Sequence, residues 1–168
     1  MEHCGFSGTI TIQGSMTNAG GLVGIVDTTS LQILNCLNSA NITASGIYIG
    51  GLCGQVTKGT ASISDSVTTG IVATSGTRHA TLVGAVNGNS TSKGNVYLDN
   101  VYYLNNGEQP ICTSQNTTNA TITNAIKCYP RTENELKGLG TNTVTLDSEH
   151  WVVTEGSFPS LKTITVTQ

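Results

Sequence analysis

Charge is the scarcest commodity in this chain. Only 10% of its 168 residues are Asp, Glu, Lys or Arg, and the net charge is -3. Seven Lys and Arg scattered along the whole length form no cluster able to neutralise phosphates, which excludes a nucleic-acid partner. Long apolar runs are missing too. None approaches the roughly 20 residues a membrane-spanning helix needs, so no membrane insertion is expected. Aromatics make up 5% and there is a single Trp. Met1 leads directly into Glu2-His3-Cys4, with no basic start and apolar stretch of the signal-peptide kind.

Reactive constellations are equally sparse. There is no Gly-x-Ser-x-Gly elbow and no His-Glu-x-x-His. His3, His79 and His150 are dispersed, and so are Asp27, Asp65, Asp99 and Asp147. Glu133 and Glu135 read as the start of a solvated helix with Thr132 as N-cap, because a Glu three residues after a Thr closes a capping box. No catalytic, cofactor-binding or metal residue is assigned. A zinc site in particular lacks the short Cys-x-x-Cys spacing.

What the chain has in quantity is Thr, Ser, Asn and Gly, interleaved with Ile and Val. The β-branched residues argue for strands, and the dominant residues are weak helix formers. The placement is periodic. Gly21-Leu22-Val23-Gly24 recurs as Gly51-Leu52-Cys53-Gly54 and, degraded, as Thr81-Leu82-Val83-Gly84. A second register aligns Ile33-Leu34-Asn35-Cys36 with Ile63-Ser64-Asp65-Ser66 and Leu98-Asp99-Asn100-Val101. A third aligns Asn41-Ile42 with Ile71-Val72, and Cys4 to Ile10 matches Cys36 to Ile42. The period is about 30 residues, within the range of stacked repeat architectures.

Short apolar bursts bounded by turn residues read as strands. One coil of them cannot bury its inner face, whereas stacked coils can. The expected fold is therefore all-β, a right-handed parallel β-solenoid over residues 1-103, with an irregular capping or continuation segment over 104-168. Leu22, Leu52 and Leu82 should form one inward column, Val26, Val56 and Val86 a second, and Ile10, Ile42 and Val72 a third. The glycines beside the leucines should serve corners that need positive φ or close backbone approach. Asn35, Asp65 and Asn100 should stack as a side-chain ladder. A cation at Asp65 and Asp99 is the rival reading, disfavoured because hard cations need more oxygen ligands than cluster there. Tyr102, Tyr103, Trp151, Phe158 and Leu161 should close the end of the core.

The Gly-Gly-Leu-Val-Gly and Gly-Gly-Leu-Cys-Gly segments, with an upstream Asn-Cys, resemble the GLUG-motif repeats of large surface proteins. Those repeats occur in bacterial adhesins, in IgA-specific peptidases and in some protists. Asn100-Val101-Tyr102-Tyr103, Thr132 to Lys137, and Trp151 followed by Gly156 to Leu161 resemble the segments that follow such repeats. The resemblance implies a solenoid in an extracellular, cell-surface protein. It transfers no active site. Thr81 departs from the pattern where the family has Gly. Cys4 already occupies the position of Cys36, so the chain is expected to be a piece of a longer repeat protein.

Of the five cysteines, Cys4 and Cys36 are equivalent in adjacent coils and within disulfide range. Cys112 and Cys128 bracket a Thr/Asn-rich excursion that a second bridge could close. Cys53 should pack inward as a small hydrophobe. Reduced, buried thiols remain the alternative at each position. Asn41, Asn89, Asn116 and Asn119 begin glycosylation sequons. The expected function is a non-catalytic stalk or adhesion module whose partners are host or neighbouring-cell glycans or proteins, together with flanking domains. The alternatives are a polysaccharide-acting enzyme, or an accessory segment of one, and a self-assembling filament subunit.

Overall fold

The computed structural model describes residues 1–14, 18–87, 93–113, 121–123 and 127–163. It is an all-β solenoid of about three turns built from parallel sheets. Each regular coil contributes a rung to each side. The first sheet stacks Gly5–Phe6, Leu37–Asn38, Val67–Thr68, Val101–Leu104 and Cys128–Arg131, all parallel. A second stacks Thr9–Ile12, Asn41–Ala44 and Val72–Thr74, and a third Asn18–Gly20, Tyr48–Gly50 and His79–Ala80. The last side holds the twelve-residue strands Val23–Leu34 and Cys53–Ser64. In later coils it continues as Val83–Val86 with Gly94–Asp99, then Ile111–Thr113 with Thr121–Thr123.

The registers read from the sequence hold. Ile10 pairs with Ile42 and Ile42 with Val72; Val26 pairs with Val56 and Val56 with Val86. Leu22 N–H donates to Leu52 O at 3.1 Å and Leu52 N–H to Leu82 O at 2.9 Å, which places the three leucines one above another. Leu52, Val56, Ile63, Leu82, Val86 and Leu98 belong to one fully enclosed core, with Cys53 packed among them. A second, smaller core gathers Ala19, Ile42, Ala44, Ile49 and Val72.

Two corner devices explain the polar and glycine residues. Between the long side and the first sheet the chain turns through a left-handed residue before each of the first four rungs: His3 (φ 53°), Asn35 (φ 50°), Asp65 (φ 46°) and Asn100 (φ 57°). Asn and Asp tolerate that region better than other residues with a Cβ. The ladder they form is shorter than expected. Asn100 Nδ2 donates to Asp65 Oδ1 at 2.8 Å, but Asn35 Oδ1 instead accepts from Trp151 Nε1 at 3.3 Å.

The glycine corner works by close approach. Neither Gly50 nor Gly51 has positive φ, yet a Cβ on Gly51 would collide with the Thr81 carbonyl oxygen of the next coil. Thr81 stands at that position in the third coil and faces Gln109. Its N–H donates to Gln109 O at 2.9 Å and its hydroxyl to Asn106 at 3.4 Å.

Parallel pairing does not stop at Tyr103. It runs on through Ile111–Thr113 and Thr121–Thr123 to Cys128–Arg131, so these strands continue the stack and the irregular segment starts at Thr132. That segment does not close the end of the core. The short helix Glu133–Leu136, capped by Thr132 and Glu135 as expected, leads into a strap along the outside of the first sheet. Leu136, Val144 and Trp151, with Leu146, Phe158 and Leu161 beside them, cover the outward residues Leu37, Val67, Tyr102 and Tyr129. Those outward positions are apolar in every coil from the second on, so the face cannot remain in water without cost. Tyr103 points the other way, into the main core. The strap folds over in the antiparallel pair Trp151–Val152 and Ser160–Leu161, and reaches the first coil, where Lys162 O bonds His3 Nε2 at 2.7 Å.

Candidate functional surface

The lower limb of the long side presents a flat outward face. Period-2 alternation turns Leu31, Ala61 and Val96 inward, with Ile33, Ile63 and Leu98 beside them. The intervening residues point out and stack in register across coils. Ser30, Thr60 and Asn95 make one row, Gln32, Ser62 and Tyr97 the next, and Leu34, Ser64 and Asp99 the third. Asp99 is paired with Lys127 at 3.0 Å. Two of the rows are thus hydroxyls and amides around one aromatic ring, Tyr97, which is 42% exposed, and the third row adds Leu34 and the Asp99–Lys127 pair. An exposed phenol ring offers an apolar face for stacking and a hydroxyl for hydrogen bonding.

The side chains considered for catalysis are not brought together for it. Among the described residues, no Ser, Thr or Cys is hydrogen-bonded to a histidine. His79 Nδ1 bonds Gly76 O at 2.7 Å and its Nε2 meets Glu108 at 3.2 Å, beside Arg78, which donates to Tyr48 Oη at 2.6 Å. Asp65 and Asp99 do not converge as a cation site, since Asp65 is bonded by Asn100 and Asp99 by Lys127. Glu135 is spent on the helix cap: its carboxylate accepts from Thr132 N–H at 2.9 Å and from Asn142 at 3.0 Å, and these bonds lower its pKa.

Cys4, Cys36, Cys53 and Cys128 are free thiols. Burial raises the pKa of Cys36 and pushes Cys53 and Cys128 up to about 12. None of these three is a ready nucleophile, because the thiolate is the reactive form. Cys4 and Cys36 stack as expected, Leu37 N–H donating to Cys4 O at 2.9 Å. Each thiol donates to the carbonyl two residues back, at 3.2 Å for Cys4 and 3.1 Å for Cys36, and no bond joins them. The side chain of Cys112 lies outside the described residues, as do Asn89, Asn116 and Asn119. Asn41 is exposed, and its Oδ1 accepts from Ile71 N–H at 2.9 Å.

Two features were missed by sequence reasoning: the Tyr97 face and the meeting of His3 with His150. The alternation around Tyr97 was a usable signal for the first. Nothing local signals the second, because it depends on the path of the strap. A shallow depression of about 330 Å³ beside the strap, lined by Leu146, Ser148, Trp151, Val152, Val153 and Lys162, holds no acid–base pair. Among the described residues no helix is long and apolar enough to cross a membrane. Compared with models of known families, with curated proteins and with solved structures, the chain matches none.

Proposed function

We propose that the chain is a non-catalytic stalk and adhesion segment of an extracellular, cell-surface protein of the GLUG-repeat kind, and that it contacts glycans through the face around Tyr97. The observation that carries this reading is the registered rows of hydroxyl and amide groups (Ser30, Thr60, Asn95, Gln32 and Ser62) beside one exposed aromatic ring, bordered by the Asp99–Lys127 pair. Sugars offer hydroxyls that pair with such groups, and C–H faces that stack on an aromatic ring. The low charge fits an uncharged ligand and disfavours a phosphorylated or nucleic one.

A glycan array probed with the full chain tests the proposal. Binding of a restricted set of neutral glycans is expected, weakened about tenfold or more by Tyr97→Ala, in line with the loss of an aromatic contact of about 1.4 kcal/mol or more. No glycan bound, or binding indifferent to Tyr97→Ala, refutes it.

Self-assembly has one observation in its favour. Inner residues of the first coil, Ile10, Leu22 and Leu31, are only partly buried, where their counterparts Ile42, Leu52 and Ala61 are fully enclosed. Sedimentation that stays monomeric over a wide concentration range eliminates that reading.

A further inference from the structure

We propose that the open edge of Val23–Leu34, turned away from the second coil, is a strand-acceptor surface. Its partner is one further parallel β-strand of this repeat, seated with its backbone over Gly24. Glycine supplies the first observation. A Cβ on Gly54 would lie 2.5 Å from Gly24 O and 2.6 Å from Ala19 N in the first coil. One on Gly84 would lie 2.4 Å from Ile49 C and 2.5 Å from Ile49 N in the second coil. No side chain tolerates such contacts, so both positions are glycine because the preceding coil presses on them. Gly24 holds the same place in the first coil. Its φ is not positive, and among the described residues the nearest atom to a Cβ there is Asn18 O of its own coil, at 3.2 Å. Its glycine answers to a strand that the described coils do not supply.

Exposure supplies the second observation. Ile25 is 46% exposed, whereas Gln55 and Ala85, in register with it, are 6% and 0% exposed. Phe6 is exposed where its counterparts Asn38 and Thr68 are buried. The first rung thus leaves in water apolar surface at positions that the second and third coils enclose, at a cost that a covering strand removes. The edge also takes a parallel strand at its far end. Glu2 pairs in parallel with Leu34, the Met1 amine donates to Gln32 O at 2.8 Å, and Leu34 N–H donates to Met1 O at 3.1 Å. Val23 to Leu31 stay uncovered on that side among the described residues. An extended segment added to such an edge gains main-chain hydrogen bonds, and its alternate side chains set specificity.

The edge specifies the partner's chemistry. Val26 and Leu31 border the main core, so the partner strand places apolar residues over them. Asp27 is the one charge between Val23 and Leu31, and the second coil sets Lys58 in register with it. The last described rung of another copy fits less well. Asn38 O accepts from Thr69 N–H, so that ladder position faces the following coil, and Thr68, Tyr103 and Pro130 share it. Pro130 has no N–H to offer a coil beyond it, which blunts that end. The partner is therefore a strand with the chemistry of the second coil, not the end of another copy.

The probe is a fluorescent peptide of sequence Gly51–Ser62 carrying Cys53→Val, titrated into the full chain and followed by anisotropy. Saturable binding at one equivalent is expected, and a scrambled peptide should not bind. Gly24→Ala should weaken binding about tenfold or more, since a methyl group then meets the incoming backbone. In the unbound chain Gly24→Ala should move the melting temperature by less than about 2 °C, against a fall of about 2–12 °C for Gly54→Ala. Those melts decide without any ligand: an equal loss in the two variants means that Gly24 serves its own coil, and overturns the proposal. No saturable binding overturns it too, as does full affinity in Gly24→Ala. A dimer in sedimentation that Gly24→Ala dissolves also overturns it, by making another copy the occupant.

Discussion

Replacing the stacked leucines by alanine, one at a time, tests the architecture most directly. Leu52 and Leu82 are 0% exposed, and each is enclosed by coils on both sides. Leu22 stands in the same column but is only partly buried, with no described coil above it. Truncating an enclosed leucine costs about 3.5 kcal/mol, the transfer of its side chain plus the cavity left behind. Leu22 already spends part of its surface in water, so about half that loss is expected. For a chain of this size 1 kcal/mol moves the melting temperature by about 2–4 °C, so Leu52→Ala and Leu82→Ala should each lower it by about 7–14 °C. Leu22→Ala should lower it by about half as much, about 3.5–7 °C on the same scale. Thermal melts followed by circular dichroism, with urea titration as a second probe, measure the order. If Leu22→Ala costs as much as Leu52→Ala, the leucines do not share a column with an open first rung, and the stacking argument fails.

Other perturbations separate the remaining interactions. Gly51→Ala drives a methyl group against the Thr81 carbonyl of the next coil and should destabilise by about 1–3 kcal/mol, the usual range for overpacking, whereas Thr81→Gly should cost less; equal losses would refute the close-approach explanation. Exposure to oxidised glutathione should exchange Cys4 and Cys36 into a disulfide with release of two equivalents of glutathione. Closing a loop of that length contributes about 3–4 kcal/mol. Because the Cys36 thiol is buried and its pKa raised, the exchange is run during refolding from denaturant; peptide mapping that finds both thiols still free after oxidative refolding contradicts the stacking of those two side chains. Thr132 holds the Glu135 pKa below its ordinary value, so the cap contributes stability above the usual glutamate range that is lost as the pH falls through the depressed value. Acid titration should therefore loosen the strap, and Glu135→Gln should remove that pH dependence, whereas Thr132→Ala should weaken it only in part because the Thr132 backbone N–H and Asn142 still donate to the carboxylate; an unchanged acid limb in Glu135→Gln argues against the cap as its source.

The repeat itself was legible because its signals are local and recur. Leu22, Leu52 and Leu82 announce a column, and Asn35, Asp65 and Asn100 announce a corner before their left-handed φ values are known. The capping box at Thr132 was likewise visible in four consecutive residues. The reason for the Gly–Gly corner was only half legible: the sequence allows positive φ or close approach, and only the position of the Thr81 carbonyl decides between them. The placement of Trp151, Phe158 and Leu161 was misjudged because apolar residues after a repeat do not say which face they cover. The apolar outward series Leu37, Val67, Tyr102 and Tyr129 held the answer, but it becomes visible only when those residues are seen to share one side of the sheet.

A stack in which each coil meets only its neighbours has no intrinsic length. The strap supplies one. It leaves the last rung at Arg131, passes Tyr102 and Asn35, and arrives at His3, so it behaves as a gauge of fixed reach against which the rungs are counted. Inserting one further repeat in the middle would carry its far end past His3 and Gly5 by a whole rung and leave an apolar stripe bare, which makes gain or loss of a coil costly in this part of the chain even though each coil alone is interchangeable.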